Sequence, residues 1–367
     1  MFTLSPITRL LTRKTALGQT LLTTDPAGGE LEEGEIMLRL NRFGLSTNNI
    51  TYAAFGNAMN YWGFFPIENT DYGHMPVWGF ADVIASRAPN IAQGERIYGY
   101  FPIASEMRMR PHRTTARGFY DSAPHRQSLT SAYNQYTRCA ADPLYEADLE
   151  NYQALYRPLF ITAFMLADFL QDNGFFGAEQ LVIASASSKT AYTTALCLEG
   201  IGNTLPLHAL TSAPNLDFVK NLGCYTSSHT YEDLAQIPQK PTLYVDFSGS
   251  TKLRAQIHAY FGDHLIYDCF AGSTANLNFI TEAPLTGPAP KLFFAPVQIK
   301  KRNSDWGPEG YNTQVNSAQK NFIAKVAKDP ARYVHITEEA GFEPAQTRIK
   351  EIAGNQINPH LGHIIHL

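Results

Sequence analysis

Residues 181–211 read LVIASASSKTAYTTALCLEGIGNTLPLHALT. An apolar run (LVIAS, 181–185) meets a polar turn, a helix-length stretch follows (KTAYTTALCLEG, 189–200), and a second apolar run comes next (LHALT, 207–211). The pattern then repeats: PNLDFVKNLG leads to TLYVDF (242–247), and KLRAQIHAYFG leads to HLIYDCF (264–270). Short strands alternating with helices of about ten residues build a parallel sheet with helices on both faces. Strands covered on both faces need continuous apolar runs rather than alternation, and these runs are of that kind.

Outward from this stretch the character changes. Residues 1 to about 105 read as all-β: GEIMLRLNRFGLS, VWGFADVIAS and ERIYGYFPI are β-branched or aromatic runs separated by Gly, Pro and Asn turns. From Glu106 to Pro143 the pattern weakens, and Arg108, Arg110, Arg113, Arg117 and Arg126 accumulate. YRPLFITAFMLADFLQDNGFFG carries apolar residues at helical spacing and meets a stop at Gly174. Beyond Lys291 the reading is a strand, LFFAPV, a helix near Gln314–Ala327, and a last strand, GHIIHL. The class is α/β. A β domain over 1–150 precedes a doubly wound domain over 151–305, and the 306–367 segment returns to the first domain, because its apolar strand needs a sheet to join.

The chain has 367 residues, a length that suits two domains at about 150 residues each. Hydrophobic residues make up 44% and charged residues 17%, too apolar and too weakly charged for a disordered chain. With 29 basic against 33 acidic residues the net charge is −4, which offers phosphate backbones and anionic membranes no general attraction. Neither a nucleic acid nor a membrane is expected as a partner. Cys139, Cys197, Cys224 and Cys269 lie far apart, unlike a zinc ribbon or a disulfide framework, and read as reduced thiols of a cytoplasmic protein. The first 24 residues hold no acid and carry Arg9, Arg13 and Lys14, as a transit peptide would, but also suit first strands with charges facing water.

The order of these elements, with GEIMLRLNRFGLSTNNIT (34–51), IAQGERIYGY (91–100) and FEPAQTRIKEIAGNQINPHLGHIIHL (342–367), resembles the medium-chain dehydrogenase/reductase superfamily. The branch it looks like is the zinc-free quinone oxidoreductases and enoyl reductases. RPLF, SASSKTA and FFAPVQIKKRNSDWG look like an uncharacterised bacterial subfamily. The resemblance implies a GroES-like β-barrel domain followed by a Rossmann-type domain, an NADP(H) cofactor, no zinc, a small-molecule substrate and a homodimer. The reaction it implies is reduction of an activated double bond or carbonyl. A nucleotide-binding or regulatory protein without catalysis is the alternative on the same fold.

The turn Ser185-Ala186-Ser187-Ser188-Lys189-Thr190-Ala191 lies where the superfamily carries G-A-S-G-G-V-G. A helix N-terminus there suits a pyrophosphate, since it offers unpaired N–H groups and a positive dipole end. Serine hydroxyls and the Lys189 ammonium are able to replace glycine's close backbone approach, or the site has decayed and only the fold is kept. Walker A chemistry fails, because Ile183 and Ser188 stand where its glycines belong. A hydrolase elbow would make Ser187 the nucleophile with Asp268 and His363, but Ser185 and Lys189 stand where it needs glycines. The second strand ends in Thr211-Ser212-Ala213-Pro214-Asn215 with no acid before Asp217, which favours NADP over NAD. Tyr231 falls where relatives place a tyrosine beside the adenosine, and equally suits an ordinary loop aromatic.

For the reacting centre, no cysteine precedes Cys139, and His74 alone reads as a turn histidine. Ser46-Thr47-Asn48-Asn49-Ile50-Thr51 resembles the S-x-N-x-x-D segment of zinc-free relatives, with Asn48 as the amide. Asn60-Tyr61-Trp62-Gly63-Phe64-Phe65-Pro66 resembles the N-Y-G-x-x-P stretch whose tyrosine donates a proton. Tyr61 is thus the candidate acid and Tyr52 a second one, against a packing role in a very aromatic neighbourhood. The arginines from 108 to 126, and Lys300-Lys301-Arg302, read either as a solvated face or as a grip on a substrate anion.

Overall fold

The computed structural model describes residues 6–26, 29–272 and 285–367. Residues 1–5 of the basic N-terminal stretch lie outside the described residues. The chain divides into two compact units, Met1–Leu155 with Ile336–Leu367, and Tyr156–His335.

In the first unit, β1 (Ile7–Arg13), β2 (Ala16–Asp25) and, after β3 (Ile36–Leu45) and helix α1 (Thr47–Ala54), β4 (Tyr72–Gly73) form one small sheet in the order β2-β1-β4. β3 begins a larger sheet with β5 (Pro76–Ser86), β6 (Arg96–Pro102), β7 (Glu106–Met109), β8 (Pro111–His112), β9 (Gly118–Asp121) and β10 (Gln135–Arg138). Four short strands therefore occupy residues 106–143, where the sequence pattern is weak. At two to four residues each, they are too short to display alternation. β3 turns the sheet. Two irregularities break its pairing with β5, and its first residues pair with β7 while its last pair with the C-terminal strand. Where β3 and β5 press together only glycine fits: a Cβ at Gly79 would lie 2.1 Å from the Arg42 carbonyl oxygen.

The second unit opens within helix α2 (Glu150–Asp172) and carries β11 (Gln180–Ala184), α3 (Lys189–Gly200), β12 (Leu207–Thr211) and α4 (Leu216–Leu222). β13 (Ser227–Thr230), β14 (Thr242–Asp246), α5 (Thr251–Phe261), β15 (Leu265–Phe270) and β16 (Lys291–Leu292) follow. The sheet order is β13-β12-β11-β14-β15-β16 with every described pairing parallel, which is the 3-2-1-4-5-6 order of a doubly wound dinucleotide fold. β13 is too polar (SSHT) to announce itself by hydrophobicity. A core of Val182, Ala184, Leu210, Leu253, Ile257 and Leu265 fills the space under one layer of helices.

LFFAPV is not the strand its composition suggests. The strand stops at Leu292, and helix α6 (Ala295–Lys328) starts with Pro296 in its first turn, where a missing N–H costs nothing. At Gly307-Pro308 the helix bends, with Gly307 at φ 72°, and the second limb contains the helix expected near Gln314–Ala327. α6 thus runs through position 305, where the sequence suggested a domain end, and the second unit continues to His335.

The chain returns to the first unit with β17 (His335–Ala340), α7 (Phe342–Ala353) and β18 (Leu361–His366). β18 pairs antiparallel with β3, and α7 sinks Ala345, Ile349 and Ile352, one helical stripe, into a core with Phe43, Val77 and Ile365. Among the described residues no helix is long and apolar enough to cross a membrane.

Candidate functional site

The first cluster is built on α1 and the loops of the first unit. Ser46 caps α1, accepting from the Asn48 amide, while Asn49 closes the capping box and donates to the Pro76 carbonyl. That fixes the helix so that the Asn48 side chain, one position earlier, reaches the Tyr52 hydroxyl. Trp78 Nε1 donates to the same hydroxyl at 3.1 Å, and Tyr133 is its third hydrogen-bonding neighbour. Tyr61 sits on a single helical turn (Tyr61–Phe64), with its Oη 3.1 Å from Tyr133 Oη. The rings of Tyr52, Tyr61 and Tyr133 meet edge to face with centroids 5.0–5.8 Å apart. Tyr100, with no exposed surface, packs into this cluster and its hydroxyl has no hydrogen-bond partner among the described residues. Burial raises the pKa of all four phenols, so they are neutral acids at pH 7.

The three predicted residues Asn48, Tyr52 and Tyr61 therefore come together, and packing and hydrogen bonding turn out to be joint roles of one cluster. Tyr133 and Trp78 escaped sequence reading. Tyr133 lies in the stretch of weak pattern, and nothing local marks a lone tyrosine as the bridge between two others.

Of the five arginines, Arg126 explains how the cluster is held. It is buried, its Nε donates to the Phe64 carbonyl, and its Nη1 donates to Asn134 Oδ1 and Tyr136 Oη. Asp121 balances its charge at 3.4 Å. One guanidinium thus ties the turn carrying Tyr61 to the turn carrying Tyr133 (Ser131–Asn134). Arg108 and Arg110 pair with Glu35 and Glu32, and Arg113 and Arg117 are exposed. Lys301 and Arg302 are likewise engaged by Asp168, Asp172 and Asp305. His74, in the short connection between β4 and β5, is buried against Phe65, and burial drives its imidazole down to about 3, leaving it neutral.

The second cluster lies at the carboxyl ends of β11 and β12. Ser185 takes the left-handed conformation, φ 53°, that favours glycine. Ser188 caps α3, its hydroxyl accepting from the Ala191 amide. Ser187 Oγ is held by donors from two sides, Thr211 Oγ1 at 3.3 Å and Asn215 Nδ2 at 3.2 Å. Among the described residues its own proton has no acceptor, which leaves it to a ligand. Tyr231 packs beyond, with its hydroxyl at the Ser185 amide and side chain and its own amide donating to the Thr211 carbonyl. Lys189 begins α3, and burial brings its ammonium down to about 8. Thr190 contributes its carbonyl to Thr194, and Ser212 its carbonyl to Asn215; among the described residues no hydrogen bond of either side chain joins this cluster. Ser185, Ser187, Thr211, Asn215 and Tyr231 are thus brought together.

The residues considered for a hydrolase triad have other partners. Asp268 is held by Arg254 and His258, and His363 Nδ1 faces the Thr337 hydroxyl. The Arg254 guanidinium also pairs with the buried Asp246 at 2.6 Å. That charge cluster was missed from the sequence, because its residues are spread over β14, α5 and β15.

Residues 43–358 match the family described as "Protein of unknown function (DUF2855)". The chain belongs to this family. No curated protein matches the DUF2855 chain in sequence. Among solved structures it is similar to CurA from Vibrio vulnificus in complex with NADPH, at 12% identity and TM-score 0.57, over 98% of each chain. It is similar to the yhdH oxidoreductase from Salmonella enterica in complex with NADP, at 14% identity and TM-score 0.53, over 98% of this chain and 99% of that one. CurK enoyl reductase gives 11% identity and TM-score 0.53 over 98% and 99%. This DUF2855 protein shares the fold of these oxidoreductase structures.

Proposed function

We propose that this protein is a cytoplasmic, NADPH-dependent oxidoreductase that reduces an activated carbon–carbon double bond or a carbonyl without zinc. The observation that carries the reading is the Ser187 hydroxyl held by Thr211 and Asn215, at the carboxyl ends of the first two strands of a 3-2-1-4-5-6 sheet. Its donor set suits a dinucleotide: hydroxyl protons, helix N-terminal amides and one ammonium for phosphate oxygens, with no carboxylate at the end of β12 to repel a 2′-phosphate. Relatives of the same fold with bound NADPH and NADP support it. Ser187, the first amides of α3 and Lys189 would hold the phosphates, and Tyr231 the adenosine side. The bound dinucleotide supplies hydride. The first unit supplies the proton: Tyr61 is the acid, and Asn48 and Tyr52 polarise the substrate oxygen or its hydrogen-bonding neighbours. The aromatic surroundings of Tyr61 suit a small apolar or conjugated substrate.

Calorimetric titration with NADPH and NADH, followed by NADPH oxidation assays on enones, quinones and aldehydes, tests this. Saturable binding that prefers NADPH is expected, and absence of binding to either dinucleotide would leave a fold without its cofactor. With a substrate in hand, Tyr61→Phe should lower turnover by roughly 10²–10⁴-fold at unchanged NADPH affinity. A silent Tyr61→Phe would assign Tyr61 to packing alone.

A further inference from the structure

Tyr100 keeps no exposed surface, and among the described residues its hydroxyl has no hydrogen-bond partner. Native proteins pair nearly all their buried polar groups, because an unmet one costs its full desolvation. An exception inside a candidate substrate site calls for a partner that comes from outside. The rings of Tyr52, Phe64, Trp78 and Tyr133 surround Tyr100 with centroids 5.0–5.5 Å away. The Tyr52, Tyr133 and Tyr61 phenols all act electrostatically on the Tyr100 hydroxyl, which therefore faces into the cluster. Tyr133 is half-buried at the rim, and its hydroxyl is tied to Tyr61 at 3.1 Å. The next residue, Asn134, is buried, accepting from Arg126 and donating to the Asp121 carbonyl. That pins the backbone, so movement at this place falls to the Tyr133 side chain.

We propose that the Tyr100 hydroxyl binds the carbonyl oxygen of a neutral substrate, in a site that the Tyr133 ring covers in the resting protein. This rests on the reading of the tyrosine cluster as the substrate site. When the Tyr133 ring turns outward, two phenol donors become available together. Tyr61 loses its tie to Tyr133, and Tyr100 loses its cover. A carbonyl oxygen has two lone pairs and accepts from both. The Tyr100 bond is a net gain, since in the resting protein that hydroxyl has nothing to give up. Burial holds the Tyr100 phenol well above its ordinary pKa, so it donates a hydrogen bond and keeps its proton, leaving the acid role to Tyr61. The cluster is made of aromatic and apolar side chains with no cation among them. The Arg126 guanidinium lies over the Phe65 ring at 4.7 Å, but Asp121 balances its charge. A carboxylate would be desolvated here without a counter-charge, so the site takes ketones and aldehydes and rejects carboxylic acids.

Tyr100→Phe keeps the ring and removes the hydroxyl, so stability and binding should part company in it. In urea unfolding its folding constant should stay within about threefold of the unaltered protein's, or rise, because an unpaired hydroxyl stabilises nothing. A larger fall means that the hydroxyl has a partner in the resting protein, and overturns the proposal. The binding arm needs no cofactor. Cyclohexenone labelled with carbon-13 at its carbonyl is followed by infrared difference spectroscopy. Binding to the unaltered protein should move the carbonyl stretch to lower frequency. Tyr100→Phe should recover part of that shift and weaken binding by about tenfold, the worth of one hydrogen bond. An equal stretch and affinity in the two proteins overturns the proposal, as does a failure of the unaltered protein to bind cyclohexenone. Tyr133→Phe cuts the tie to Tyr61 and should tighten cyclohexenone binding by about threefold. Equal or weaker binding overturns the covering role of Tyr133. Cyclohexanecarboxylate should not compete, and competition overturns the substrate class. If cyclohexenone binds as expected but NADPH is not oxidised by it, the proposed reduction falls and the Tyr100 site stands.

Discussion

The tyrosine cluster of the first unit and the serine turn of the second both place polar groups in largely buried surroundings, yet by opposite means. In the tyrosine cluster, side-chain packing holds the groups: rings from four chain segments meet edge to face, and Arg126 braces two of them. Its hydroxyls can exchange donor and acceptor roles without any backbone change. In the serine turn the backbone does the holding. Ser185 sits in the left-handed region, Ser188 caps the helix, and Ser187 is pinned by one-way donation from the Asn215 amide. The first arrangement suits moving a proton, and the second suits holding an anion still.

The contrast is broken most severely at Arg126. Arg126→Met leaves Asp121 buried without its partner, and stability should fall by about 3–5 kcal/mol in urea unfolding. Arg117→Met, exposed in the same region, should change it by less than about 0.5 kcal/mol. Equal effects would show that Arg126 is not the brace.

At the other cluster the expected effect is intermediate and lies in binding. Lys189→Ala should weaken NADPH by roughly 1.5–3 kcal/mol if the ammonium meets phosphate. Burial lowers the Lys189 ammonium to about 8, so the free protein loses this charge as pH rises through that value. NADPH affinity should therefore decline between about pH 7 and 9, and Lys189→Ala should flatten the decline. The same group has the opposite influence on folding. Its folded value lies below its unfolded one, so the unfolded chain binds the extra proton and stability contributed by Lys189 grows from pH 8 upward. A calorimetric profile equally steep in Lys189→Ala would remove Lys189 from the phosphate site.

The smallest effect is expected at Ser185. Ser185→Gly relieves a left-handed side-chain residue while adding chain entropy to the unfolded state and losing the contact with Tyr231, for a net gain of about 0.5 kcal/mol in thermal unfolding. A loss of stability would mean that the Ser185–Tyr231 contact outweighs the strain.

Much of this was legible along the chain, for a physical reason that differs by region. β11, α3 and β12 are announced by contiguous apolar runs and a capping serine, because local sequence carries both the strand burial and the helix start. The serine turn is read the same way: its residues are neighbours in sequence, and their meeting with Thr211 follows from two adjacent parallel strands. LFFAPV misled because a short apolar and aromatic run suits a strand or a helix approach equally, and Pro296 decided for the helix. Tyr61 and Tyr52 were visible as residue types, but their connection was not.

The sequence by itself determined the class, the alternation of the second unit, the polar serine turn and the lack of an acid after β12. Each of these depends on residues close together in the chain, where propensity and periodicity act directly. Only the tertiary structure decided that Tyr133 and Trp78 converge on Tyr52, that Arg126 is a buried brace rather than a substrate clamp, and that Asp246, Arg254, His258 and Asp268 share one buried cluster. Those contacts join residues from separate elements, and no local preference encodes which side chains the packing of a curled sheet or a doubly wound one will bring within 3 Å of each other.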